Sequence, residues 1–154
     1  MPFSVKGIAL GKADSQPTVL LEDTEGTNLV SFLIGPAEAR AILVELEGMA
    51  SDEPAPHDAI AQLFRAHRFT VKHVEIDDLN DNGYSGRIYY RKGLRTHWLP
   101  LRAGDAVALA VRMKAPIFIN PVLLHESDAL REAHFVPGFD ILLFDREHLE
   151  SHLA

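Results

Sequence analysis

The chain has 154 residues, enough for one domain with a buried core, and its 47% hydrophobic and 24% charged residues are the balance of an ordinary globular protein. A formal net charge of −7 opposes general attraction to phosphate backbones, so nucleic-acid contact needs a local basic patch. The lack of cysteine excludes disulfides, thiolate metal sites and cysteine nucleophiles. The absence of a leader-like start or of an apolar run near ~18 residues leads us to expect a cytoplasmic protein with no membrane partner.

Phe3–Leu10 is rich in β-formers and predicts a strand. Thr18–Glu22 and Asn28–Ile34 read as two more, joined by a turn at Asp23-Thr24-Glu25-Gly26. Gly35-Pro36-Ala37-Glu38 starts a helix. Proline suits the first turn, where its missing N–H is no loss, and Glu38 sets negative charge at the positive end of the dipole. This helix runs to about Glu47 and stops at Gly48. Apolar residues cover most of its circumference, which predicts burial on more than one side.

A second helix opens at His57-Asp58 and runs to about His67, with Ile60, Leu63 and Phe64 on one face. Phe69–Ile76 reads as a strand and Asp77–Gly83 as a polar turn. Tyr84–Tyr90 and Leu94–Leu101 form a hairpin folded at Arg91-Lys92-Gly93. Asp105–Lys114 is a third helix and Pro116–Ile119 a short apolar segment. Strands in clusters with helices between them predict an α+β fold. We expect a single domain over residues 3–126, with a mixed, largely antiparallel sheet and helices packed mainly on one face. Residues 127–154 form a C-terminal extension, packed on the domain or partly mobile, in which Ser127–His134 reads as helical.

No strong catalytic signature is present: no P-loop, no G-x-S-x-G, no H-E-x-x-H and no dinucleotide fingerprint. His148 and His152 share a helical face, but no third zinc ligand accompanies them. The three helix entrances are more informative. They carry Glu38, then His57 and Asp58, then Arg102 and Asp105. Taken singly, the acids are ordinary helix-start charges, and Asp105 is expected to cap its helix. Gathered at one place, Glu38, Asp58 and Asp105 would hold a hard divalent ion, Mg²⁺ or Mn²⁺. His57 would shuttle a proton and Arg102 would grip a phosphate with two donors. The apolar residues around Arg102 predict a partly buried stem paired with at least one of these acids.

Tyr84–Arg102 contains Arg87, Arg91, Lys92, Arg95 and Arg102 and no acid, with Tyr84, Tyr89, Tyr90 and Trp98 interleaved. Cations and stacking rings are what a single-stranded nucleic-acid platform needs; the plainer reading is a hairpin with a charged edge. Arg87, Arg91, Lys92, Arg95 and Trp98 are the substrate-binding candidates.

The stretches VKGIAL, PTVLLED, LIGPAEARAI, LEG, the His57-Asp58 pair and LRAGDAVALAVRMKAPIFI, in that order, resemble the bifunctional nuclease domain family, a combined DNase and RNase domain. The resemblance covers about Val5 to Leu124. It implies an α+β fold, a homo-oligomer and nuclease activity on DNA and RNA; the simplest closed oligomer, which we expect here, is a twofold dimer. The family's recurrent polar positions fall on Glu38, His57, Asp58, Arg102 and Asp105, and its recurrent glycine on Gly35. The chain also departs from the pattern. It has Pro100-Leu101-Arg102-Ala103-Gly104-Asp105 where the family commonly has Asp-Ala-Arg-Pro-Ser-Asp, and Pro56 where it commonly has threonine. Those losses keep open an alternative: a non-catalytic module of the same fold that recognises a protein partner or a small anion.

Overall fold

The computed structural model describes residues 1–10, 16–48, 54–81, 83–124 and 140–143. Three antiparallel strands come first, β1 (Phe3–Leu10), β2 (Thr18–Asp23) and β3 (Leu29–Leu33). The turn between β2 and β3 is tied by the buried Asp23. Its carboxylate accepts from the backbone N–H groups and the side chains of Thr27 and Asn28. Gly26 supplies the φ of +71° that this turn requires.

Two helices follow, α1 (Pro36–Glu47) and α2 (Pro56–Ala66), each with a proline in its first turn. Gly48 ends α1 in the left-handed conformation, donating its N–H to the Val44 carbonyl. An antiparallel meander comes next, β4 (Thr70–Asn80), β5 (Gly83–Lys92) and β6 (Arg95–Arg102). Helix α3 (Ala103–Met113) starts directly from β6, and β7 (Ile117–Ile119) returns parallel to β4. The strand order is β3-β2-β1-β7-β4-β5-β6 in one mixed sheet, and an eighth strand, β8 (Asp140–Leu143), pairs antiparallel with β1. The result is a single α+β domain with a largely antiparallel sheet. β8 comes from the C-terminal extension; Ser127–His134 and the His148/His152 pair lie outside the described residues.

The core is organised around α3. Every residue from Ala106 to Ala110 is buried, with Ala103 and Gly104. The helix packs on β4, β5 and β6 on one side and on α1 and α2 on the other. Small side chains allow the close approach: a Cβ at Gly86 of β5 would lie 3.3 Å from Ala106 Cβ and 2.8 Å from the Glu75 carbonyl oxygen. Ile42, Ile76, Ile88, Leu109 and Val107 fill the space between.

Three local expectations are corrected. α1 buries only Glu38, Ala39 and Ile42, so it lies on α3 by one side, and Leu46 is exposed. Leu63 of α2 points to solvent at 57% exposure, while Ile60 and Phe64 pack. β4 runs through the polar stretch to Asn80, because its backbone pairs with Ser85, Tyr84 and Gly83 of β5 at an end of the sheet where no apolar alternation is needed.

Candidate functional site at three helix entrances

Each helix carries an acid at its third position, beside the unpaired N–H groups of the first turn: Glu38 in α1, Asp58 in α2 and Asp105 in α3. Their surroundings give them different work. Asp58 holds local structure. One of its oxygens accepts from the Ala55 N–H at 2.9 Å and the other from Arg112 Nε at 2.9 Å. The Ala55 bond and the Arg112 guanidinium lower its pKa, against a smaller opposing effect of burial.

Asp105 is not a helix cap. Its Oδ1 lies 3.0 Å from His57 Nε2 and its Oδ2 3.6 Å from Arg102 Nε. A carboxylate only accepts, so Nε2 carries the hydrogen in this contact. His57 is 7% exposed, and its Nδ1 is sealed from solvent with no hydrogen-bond partner among the described residues. Glu38 is also buried, and its Oε1 lies 4.0 Å from Arg102 Nη2. Glu38, Arg102, Asp105 and His57 thus form one chain of contacts drawn from three separate helix entrances.

Arg102 corrects the sequence reading in one respect. It pairs with acids as expected, but its side chain is 82% exposed rather than buried. As the last residue of β6, the edge strand among the described residues, it has described sheet on one side only. Its guanidinium stands in solvent above two carboxylates, open to a further anion.

Gly35 has ordinary extended backbone angles, φ −76° and ψ 162°, so conformational freedom does not explain a glycine there. A Cβ at Gly35 would run into the Glu38 carboxylate, and one at Gly104 would lie 3.5 Å from Glu38 Cγ and 3.0 Å from Ile34 Cγ2. The two glycines leave the room in which Glu38 curls back over the start of its own helix.

The three acids do not surround a common point. Asp58 is occupied by Arg112 and the Ala55 N–H, and no group of three or more His, Asp or Glu side chains among the described residues is placed to hold a metal ion. The residues therefore do not fit the Mg²⁺ or Mn²⁺ site formed by Glu38, Asp58 and Asp105. A cavity of about 220 Å³ between α1, the α2 entrance and Arg112 borders the Asp58 side of the cluster. Arg112 was not legible as a partner of Asp58. Its position in the last turn of α3 suggests only a cation on a helix dipole, and the 54-residue separation hides the contact.

Of the hairpin cations, Arg87, Arg91 and Lys92 lie on β5 and Arg95 on β6, the strand that ends at Arg102. Arg95 to Pro100 of β6 are all exposed. Arg87 is held by Asp77 at 2.9 Å and lies over the Trp98 ring, 4.4 Å from its centroid, while Lys92 lies 5.7 Å from the Phe69 ring centroid. Arg91 pairs in register with Thr96, and Trp98 is 50% exposed.

The fold and the cluster define a class: an α+β domain whose polar groups gather at helix entrances beside a cationic sheet edge. The chain belongs to the bifunctional nuclease domain family, whose model matches residues 19–132. It is also similar to two uncharacterized proteins of Mycobacterium tuberculosis, MT1877 of strain CDC 1551 / Oshkosh and Rv1829 of strain ATCC 25618 / H37Rv. Each is 29% identical over 126 residues, 82% of this chain and 75% of the relative. No helix among the described residues is long and apolar enough to cross a membrane.

Proposed function

We propose that the protein is a phosphodiesterase acting on DNA and RNA, with its reaction centre at Arg102 and Asp105. The observation that carries this reading is the exposed guanidinium of Arg102 joined to Asp105, His57 and Glu38 across three helix entrances within 4.0 Å. Membership of the bifunctional nuclease domain family supports the substrate class.

In this reading Arg102 grips two non-bridging phosphate oxygens with parallel N–H groups and stabilises the charge that builds there. Asp105, more open than His57 and Glu38, orients a water and takes its proton as the water oxygen bonds to phosphorus. The bond from phosphorus to the leaving oxygen breaks, and that oxygen takes a proton from solvent. His57 and Glu38 are positioning residues: His57 holds the Asp105 carboxylate and Glu38 the Arg102 guanidinium. Asp58 fixes the α2 entrance from outside this group. Arg87, Arg91, Lys92, Arg95 and Trp98 hold the strand.

The test is cleavage of labelled single-stranded DNA and RNA by purified protein, with Mg²⁺, with Mn²⁺ and with EDTA. Asp105→Asn is expected to lower cleavage about a hundredfold or more, and Asp58→Asn to leave most of it. Cutting that survives Asp105→Asn unchanged refutes the assignment. Loss of cutting in EDTA would show that a divalent ion is required and overturn the metal-free route. We propose further that the protein is a homo-oligomer, most simply a twofold dimer. The exposed Leu33 of β3, at the end of the strand order opposite β6, offers apolar surface for such a contact. A mass near the 17.1 kDa monomer by light scattering at all concentrations refutes it.

A further inference from the structure

The two faces of the β4–β6 meander are unlike. Val74, Ile76, Gly86 and Ile88 are buried beneath the helices, and the close approach of Gly86 to Ala106 marks this as the face that α3 covers. The alternate residues His73, Glu75, Asp77, Arg87 and Tyr89 are only half-buried and lie on the face opposite the one that α3 covers. This open face carries a row of rings across four strands. Phe118 of β7 meets His73 of β4 edge-on at 5.4 Å. His73 stacks on Tyr89 of β5 at 4.6 Å with an interplanar angle of 16°. Tyr89 stands opposite Trp98 of β6 in register, and Arg87 lies on Trp98.

Charge is divided along the same row. The acids Glu75 and Asp77 sit on β4, where His73 bonds Glu75 at 3.0 Å and Arg87 bonds Asp77 at 2.9 Å. Arg91 and Arg102 flank the rings at opposite ends of the β5–β6 pair, opposite Thr96 and Ser85 respectively. The β5–β6 pair, from Gly83 to Arg102, holds five cations and no acid in a chain of net charge −7. From Thr96 to Arg102 the strand rises about 20 Å, room for about four nucleotides of an unpaired strand.

We propose that this open face over β5 and β6 is a stacking platform for single-stranded nucleic acid, which lays bases on Tyr89 and Trp98 and leads the backbone along Arg91 to Arg102. The proposal rests on the nuclease reading and specifies its substrate as unpaired strands. A duplex keeps its bases stacked on each other and offers no ring face to Tyr89 or Trp98. The polar, cation-rich end of the row favours a phosphate backbone over a second copy of this chain, which would bring the same cations against these.

Trp98 is the only tryptophan of the chain, so its emission reports on the platform directly. Short oligothymidylate and oligouridylate are titrated into Asp105→Asn protein, which separates binding from cleavage, beside the corresponding duplexes. Saturable quenching of Trp98 is expected with single strands of either sugar and at least about tenfold weaker binding with duplex. Tyr89→Ala and Arg91→Gln each weaken single-strand binding about tenfold, while Arg40→Gln, exposed on α1, leaves it within about twofold. Should Tyr89→Ala fail to fold by circular dichroism, the exposed Arg91→Gln carries the test. Unchanged Trp98 emission, equal affinity for duplex, or emission that changes when the protein alone is diluted across a change of mass overturns the platform, the last by showing a second copy there. Cleavage by the parent without Trp98 quenching sinks the platform and leaves the nuclease reading standing; quenching without cleavage does the reverse.

Discussion

Replacing Arg102 by alanine separates the two roles this residue could have. Its side chain is 82% exposed and its ion pairs are long, 3.6 Å to Asp105 and 4.0 Å to Glu38. Water screens such pairs, which are worth about 0–1 kcal/mol. The cost of stranding a buried carboxylate, about 3–5 kcal/mol, does not arise in full. Asp105 keeps His57 at 3.0 Å, and Glu38 keeps the positive end of α1. A loss of about 1 kcal/mol in a domain of this size lowers Tm by about 2–4 °C. Catalysis should respond far more, because an oxyanion-binding donor contributes about a hundredfold or more to the rate. Arg102→Lys keeps the charge, loses the two-pronged geometry and should fall between. Thermal melts by circular dichroism and cleavage rates for both variants, beside the parent, make the comparison. A Tm fall of about 10 °C, or cleavage unchanged in Arg102→Ala, would refute the reasoning.

Arg112→Ala should behave in the opposite way. It removes the 2.9 Å partner of Asp58 and is expected to cost roughly 1–2 kcal/mol by urea denaturation, while the Arg102 side of the cluster stays formed. Gly35→Ala has no backbone strain to introduce, but its Cβ must push the Glu38 carboxylate aside. Stability should change by less than about 1 kcal/mol, while cleavage falls as Arg102 loses its neighbour, and equal activity would show that Glu38 does not position Arg102. In acid, Asp23 is informative. Burial alone would raise its pKa, but hydrogen bonds from Asn28 and Thr27 outweigh that and hold it at about 2, below the ordinary 3.8. A depressed folded pKa means that its contribution is present above about pH 4 and is lost as pH falls toward 2. Melting curves of the parent should therefore drop more steeply over that window than those of Asp23→Asn, and parallel curves would contradict it.

The sequence by itself determined the local elements. Pro36 and Gly48 bracket α1, and the apolar runs of β1, β2 and α3 announce themselves because propensity, capping and turn chemistry act over a few neighbouring residues. It also set the class of site, since acids, a histidine and an arginine at helix starts are visible in one dimension. Tertiary structure decided how those residues divide. Glu38, Asp58 and Asp105 hold the same third position in three helices, yet Asp58 goes to Arg112 while Glu38 and Asp105 go to Arg102. That division depends on how α1 and α2 lie against α3, and partners 48, 54 and 64 residues apart leave no periodic trace. The exposure of Arg102 was hidden for a similar reason. Its apolar neighbours suggest burial, but only the strand order, which puts β6 at the edge of the sheet, shows that its guanidinium faces water.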